Sequence, residues 1–260
     1  MQIDINADMG ESFGAWKMGD DQAMLALVSS ANVACGFHAG DPLVMDRTVR
    51  AALAQGVDVG AHPGFLDLWG FGRRRIEGQS GAEIERMVIY QLGAMRAIAE
   101  AAGHRMTHVK THGALGNMAF VDVELAEAVV AAILKVDPTL MLLTAPLTAI
   151  ERAARIGGLG IAAEVFADRG YDERGLLLPR GQPGAMIEDP HQAAERMLAM
   201  LEEGAIITAQ GNRLPCPIDS ICVHGDGPSA VPMASVLRER LEAAGHQILP
   251  LSRIERLRSA

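Results

Sequence analysis

Short runs of β-branched and apolar residues alternate along this chain with longer stretches of helical period, and most runs end in polar residues and glycine. That rhythm is the signature of successive βα units. Strands are expected at residues 3–8, 31–37, 57–62, 107–112, 140–145, 161–167 and 220–224. Helices are expected at 20–28, 42–55, 82–102, 121–135, 147–155, 190–203 and 228–244. Asp41-Pro42, Asp189-Pro190 and Gly227-Pro228 set a proline in the first turn of a helix, and Gly56, Gly103, Gly204 and Gly245 stand where helices end. About seven such units predict an α/β fold, a parallel β/α barrel folded as one domain over residues 1–260.

Two long connections break the rhythm, at 63–81 and 168–189, and loops of that length in a compact domain usually serve function. A third, 205–217, reads as a hairpin turning at Gln210-Gly211-Asn212.

In a parallel barrel every strand opens onto one face at its C-terminal end, so residues distant in sequence converge there. Four of the eight histidines, His38, His62, His112 and His224, fall at such ends, each with glycine within two residues. On the first strand Asp4, Asn6 and Asp8 alternate with Ile3, Ile5 and Ala7, which sends the polar set to one face, into the barrel. Asp8 and Glu11 are catalytic candidates at the strand end; Glu164 and Asp168 flank the end of the sixth strand, and Asp226 follows the seventh. Lys110 is one of three lysines and is expected inside a strand with His108 and His112 on its face, where a desolvated ammonium could stabilise an oxyanion or contact phosphate.

Composition narrows the partners. Twenty-three basic against 32 acidic residues give a net charge of −9, which repels nucleic-acid backbones and anionic membranes. Arg73-Arg74-Arg75 is the one basic run suited to a small phosphate. Three cysteines without a C-x-x-C pair suggest neither a disulfide framework nor a thiolate zinc site, and a reducing cytoplasm is expected. Neither a signal peptide nor an apolar run of about 20 residues is evident. No phosphate-binding P-loop, dinucleotide fingerprint, serine-hydrolase elbow or zinc-protease helix is present.

Longer motifs carry a family resemblance. Asp4-Ile5-Asn6-Ala7-Asp8-Met9-Gly10-Glu11-Ser12-Phe13-Gly14, Ser30 to Pro42, Gly60 to Phe65, Gly70 to Arg74, Lys110 with His112-Gly113-Ala114-Leu115 and Asn117, Glu164 to Arg169, and Ile221 to Asp226 resemble, in this order, the LamB/YcsF family of ATP-hydrolysing 5-oxoprolinase A subunits. The family pattern around the lysine reads K-P-H-G-A-L-Y-N, where this chain has Thr111 and Gly116 for the proline and tyrosine. Its segment 144–147 also lacks the glycine/serine run expected there.

The resemblance implies a seven-stranded β/α barrel akin to the glycoside hydrolase/deacetylase group. It implies opening of 5-oxo-L-proline to L-glutamate at the expense of ATP, with Mg²⁺ accompanying the nucleotide, no tightly bound organic cofactor, and work alongside B and C subunits. Asp8, Glu11, His38, Lys110, His112, Glu164, Asp168, His224 and Asp226 are then the catalytic candidates. Asn6, His62, Arg73, Arg74, Arg169 and Arg180 are the substrate-binding ones. Two rival readings stand beside it: a metal-dependent amidohydrolase or deacetylase with a divalent ion on Asp8, His62 and His112, and a non-catalytic component that binds a lactam or carbohydrate.

Overall fold

The computed structural model describes residues 1–258 apart from 226 and 228, so Asp226 and the proline expected in the first turn of the last long helix lie outside the described residues. Seven parallel strands close a barrel: β1 (Gln2–Met9), β2 (Ser30–Ala34), β3 (Asp58–His62), β4 (Met106–Val109), β5 (Met141–Thr144), β6 (Gly160–Phe166) and β9 (Ser220–Cys222), with β9 returning to β1. The register at the closure sets Asp4 beside Ser220 and Asn6 beside Cys222. Between β6 and β9 the chain makes an antiparallel pair, β7 (Ala205–Ile207) and β8 (Arg213–Pro215), where the hairpin was expected. A two-residue strand, β10 (Gln247–Ile248), adds to the start of β1.

The longer helices form the outer layer: α2 (Pro42–Gln55), α3 (Gly81–Ala101), α5 (Val123–Val136), α6 (Ala149–Gly157), α7 (Pro190–Glu203) and α8 (Ala230–Ala243), after a short α1 (Asp21–Leu25). The caps explain the agreement of their bounds with the pattern. Asp41 accepts from the Leu43 and Val44 amides, Asp189 accepts from the Gln192 amide, and Gly56 and Gly204 end their helices in the left-handed conformation.

Two expectations are corrected. β4 ends at Val109 rather than at residue 112, so Lys110 stands just beyond the strand rather than within it. Residues 113–119, to which the sequence pattern assigns no element, form a helix, α4 (Gly113–Ala119), with His112 as its N-cap. The small α9 (Glu255–Arg258) was also not foreseen.

Parallel barrels are usually filled by branched apolar side chains. Here Ile3, Ile5 and Ala7 join the apolar core, and the polar set of β1 is bonded across the barrel. Asp4 accepts from the hydroxyls of Ser29, at 2.6 Å, Ser30, at 2.7 Å, and Ser220. One turn of the pleat higher, Asn6 donates to Glu164 at 2.9 Å and to Ser220 at 2.8 Å, and accepts from Asn32 at 2.7 Å. Inward-facing polar side chains thus form layers that rise toward the C-terminal mouth.

Candidate active site

The loops after the strands give the mouth three distinct zones of ionisable groups. In the first, His38, His62 and His112 gather with Glu11. The His38 and His112 rings stack with centroids 3.6 Å apart, and His62 stands edge-on to both. His38 Nε2 lies 3.2 Å from Glu11 Oε1, and His112 Nδ1 lies 3.6 Å from the same oxygen.

The backbone settles two tautomers. His62 Nδ1–H donates to the Lys110 carbonyl at 2.7 Å, and His112 Nε2–H donates to the Phe71 carbonyl at 2.8 Å. A carbonyl only accepts, so His62 Nε2 and His112 Nδ1 carry lone pairs in the neutral rings. These nitrogens face each other at 3.0 Å, with Asp8 Oδ2 3.3 Å from His62 Nε2. Two facing lone pairs and two carboxylates repel unless a cation, a proton or a metal ion, sits among them. Burial and the neighbouring imidazoles push the His38 and His112 pKa values down, His112 to about 3, so these rings resist carrying the proton themselves.

The donors of Glu11, His38, His62 and His112 all lie within 4.8 Å of one another. The separations of 3.0, 3.2 and 3.6 Å suit ligands around one ion with bonds of about 2.0–2.2 Å. Carbonyls that orient ligating imidazoles from behind are the usual support of such a site. The residues therefore fit a divalent ion through Glu11 and His38 with His62 and His112; Asp8, expected as a ligand with His62 and His112, lies 3.3 Å from His62 Nε2 and also groups with Cys222 and His224.

Phe71 is held at φ +53° and Gly72 at φ +62°, which turns the Phe71 carbonyl onto His112. A left-handed phenylalanine costs about 1–2 kcal/mol. A Cβ on Gly72 would come within 2.7 Å of both His112 and His38, so only glycine lets this loop lie against the rings.

In the second zone the Lys110 ammonium, 6% exposed, meets Glu164 at 2.7 Å, Asp8 and Asn6 at 3.1 Å and the Cys222 sulfur at 3.0 Å. Burial alone would discharge the lysine, but Asp8, Cys222 and Glu164 outweigh it and hold its pKa well above the usual value. Burial likewise pushes the Asp8 carboxyl up, and His62 and Lys110 overcome that to hold it well below the carboxylate range. Beneath, His108 Nε2 bonds Asn32 at 2.9 Å, its pKa depressed by burial and by Lys110 to about 3.

The third zone is a dyad. His224 Nδ1 lies 2.8 Å from both Asp168 oxygens, and the pKa of that buried carboxyl is lowered because His224 outweighs burial. The proton therefore resides on Nδ1, leaving Nε2 a base.

These zones border a cavity of about 420 Å³ whose walls include Asp8, Glu11, His62, Lys110, His112 and His224, together with Arg73, Arg75, Arg169 and Arg180. His38, Glu164 and Asp168 stand behind that wall, and Asn6 is enclosed within the barrel network. Arg74 is not brought to the cavity: its exposed guanidinium pairs with buried Asp67, and Arg75 takes the place expected for it. The four mouth histidines divide three and one rather than forming a single cluster. Sequence reasoning passed over Cys222 and Asn32, and took Arg75 only as a member of the basic run Arg73-Arg74-Arg75. The sign of the first two was a polar or thiol side chain at an inward position of an apolar strand.

Thr111 and Gly116 both line the cavity. A Cβ at 116 would stand 2.9 Å from the Thr111 carbonyl and hydroxyl oxygens, so the absence of a side chain there accompanies the threonine.

Known proteins place this arrangement. The sequence model of the LamB/YcsF family matches residues 3–256. The A subunit of 5-oxoprolinase from Azorhizobium caulinodans is 58% identical over 250 residues, 96% of this chain and 98% of its own. The crystal structure of a lactam utilization protein from Thermus thermophilus superposes with a TM-score of 0.91 at 45% identity, covering 96% of this chain and 99% of that one. The catalytic domain of a peptidoglycan N-acetylglucosamine deacetylase from Eubacterium rectale shares the barrel at a TM-score of 0.52 and 12% identity, over 97% of this chain and 89% of its own.

Proposed function

This chain belongs to the LamB/YcsF family, and from that membership together with the site we infer that it serves as the A subunit of an ATP-hydrolysing 5-oxoprolinase, opening 5-oxo-L-proline to L-glutamate. The observation that carries the reading is a relative so named at 58% identity along nearly the whole of both chains. The mouth adds chemistry suited to the task. Being one subunit, the relative belongs to an assembly, and we assign the partners to the B and C subunits of that enzyme.

An unstrained lactam is a poor electrophile with a poor leaving group, which explains the need for ATP. Transfer of the γ-phosphoryl group to the lactam oxygen gives an imidate phosphate and ADP. A first water adds at the activated carbon, and the C–N bond breaks as nitrogen takes a proton. A second water then hydrolyses the γ-glutamyl phosphate that remains.

The Lys110 ammonium at the cavity wall answers the negative charge that develops on the lactam oxygen and the transferred phosphoryl group. Asp8 and Glu164 keep that ammonium charged and in place. His224, aligned by Asp168, takes the proton of water and returns one to the leaving nitrogen. Arg73 and Arg180 at the mouth meet phosphate oxygens. A divalent ion held by Glu11, His38, His62 and His112 would supply Lewis acidity toward water or carbonyl oxygen; Mg²⁺ enters with the nucleotide.

The test is reconstitution: the chain with B and C subunits, 5-oxoproline and ATP should yield glutamate and phosphate in equal amounts. Wild-type assembly that hydrolyses ATP without forming glutamate refutes the reading. A second reading, ATP-independent metal hydrolysis, is favoured by the Glu11/histidine cluster alone, and predicts chelator-sensitive amide or acetyl hydrolysis without nucleotide. The number of ionisable groups facing the cavity argues against a purely binding role.

A further inference from the structure

Among the described residues, Arg169 is the one cavity arginine withdrawn from solvent, with 6% of its surface exposed, whereas Arg73, Arg75 and Arg180 are exposed. Its Nε donates to the Ala185 carbonyl at 3.2 Å and its Nη2 to the Leu178 carbonyl at 2.5 Å. Those neutral acceptors orient the guanidinium and pin the 168–189 connection at the cavity, but bring no opposite charge to it.

The adjacent carboxylate, Asp168, is held through both oxygens by His224, and among the described residues Arg169 forms no ion pair. Burial depresses its pKa, Arg180 and Arg73 depress it further, and the nearby Asp168 carboxylate offsets only part of this. A buried cation crowded by cations and facing a cavity is costly in the absence of an anion.

We propose that Arg169 is the counter-ion of the substrate's carboxylate, the residue that makes the site choose an anionic lactam over a neutral one. The inference rests on the lactam reading above and extends it to the specificity of the substrate. Lys110, Asp8 and His224, where the ring carbonyl would react, line the cavity together with the guanidiniums of Arg73, Arg75, Arg169 and Arg180. 5-Oxoproline carries its carboxylate on the ring carbon opposite the amide carbonyl across the nitrogen, so a molecule with its carbonyl at Lys110 presents the carboxylate away from it. The deepest guanidinium suits this small ligand. The exposed arginines at the mouth suit the larger nucleotide.

The phosphoryl group of ATP is the other anion with this chemistry, and kinetics of the reconstituted enzyme separate the two. In R169Q the KM for 5-oxoproline should rise about 100-fold, equivalent to about 2.8 kcal/mol, with KM for ATP within about threefold. Turnover of 5-oxoprolinamide, the neutral isostere, should keep its kcat/KM within about threefold, because it has no carboxylate to lose.

If Arg169 merely braces the loop, R169Q will depress both lactams alike, and the proposal fails. It fails also if KM for ATP moves while that for 5-oxoproline does not. Thermal unfolding of R169Q and R169K shows whether the loop remains docked, and R169K, which keeps the charge, should recover part of the preference. Wild-type assembly that leaves 5-oxoproline untouched sinks the parent reading instead. Calorimetry on the wild-type and R169Q chains with 5-oxoproline and its amide then decides the inference separately: no preference for the carboxylate in the wild type overturns it.

Discussion

Lys110→Met tests the barrel network most severely, since it removes the ammonium from between two buried carboxylates while nearly conserving volume. At an effective dielectric of about 20, contacts of 2.7 Å to Glu164 and 3.1 Å to Asp8 correspond to about 6 and 5 kcal/mol of gross attraction. Desolvation of all three groups offsets most of this, and experience with broken buried pairs puts the net loss at about 3–5 kcal/mol. For a chain of this length each kcal/mol lowers the melting temperature by about 2 °C, so K110M should melt about 6–10 °C below wild type at neutral pH. Scanning calorimetry or urea unfolding of the isolated chain measures it. The double variant K110M/E164Q should recover at least about 1.5 kcal/mol relative to the sum of the single losses, because it removes a carboxylate that K110M strands. If K110M leaves stability unchanged or raises it, the ammonium is not what holds Asp8 and Glu164 together, and the electrostatic role assigned to it loses its foundation.

The facing lone pairs of His62 and His112 predict that the purified chain binds one equivalent of Co²⁺ with visible d–d absorption, and that E11Q/H112N abolishes the spectrum. Saturation at about 100 times Kd should stabilise the wild-type chain by about 2.7 kcal/mol; no spectral change and no thermal shift would leave a shared proton as the occupant. Asp4 is pushed up by burial to about 7, against the three serine hydroxyls that favour its charged form. A raised carboxyl stabilises the fold below its unfolded pKa and loses that contribution as pH rises through the folded value, so wild type should lose about 2 kcal/mol between about pH 5 and 7 through this group. D4N should flatten that part of the profile, and a D4N curve parallel to wild type would show that Asp4 is already ionised at about pH 5.

The alternation of Asp4, Asn6 and Asp8 with Ile3, Ile5 and Ala7 already shows which face of β1 turns inward, because side chains of a strand alternate. The repeated strand-end histidines show in the same way that a site lies at the mouth. Caps such as Asp41-Pro42 and Asp189-Pro190 bound their helices by local chemistry, and those bounds agree with the structure. Motif order along the chain was enough to reach the family.

Tertiary structure alone decides which of these residues meet. Glu11 stands with His38 and His112, and Asp8 shares Lys110 with Glu164 and Cys222, because the register of β1 against β9 and the turn at Phe71-Gly72 set those distances. Nothing local to Arg74 reveals that Asp67 claims it, or local to Arg169 that its side-chain hydrogen bonds among the described residues go to neutral carbonyls. Periodicity reports the face a side chain occupies. Its partner depends on contacts between segments far apart in the chain, and those form only when the barrel closes.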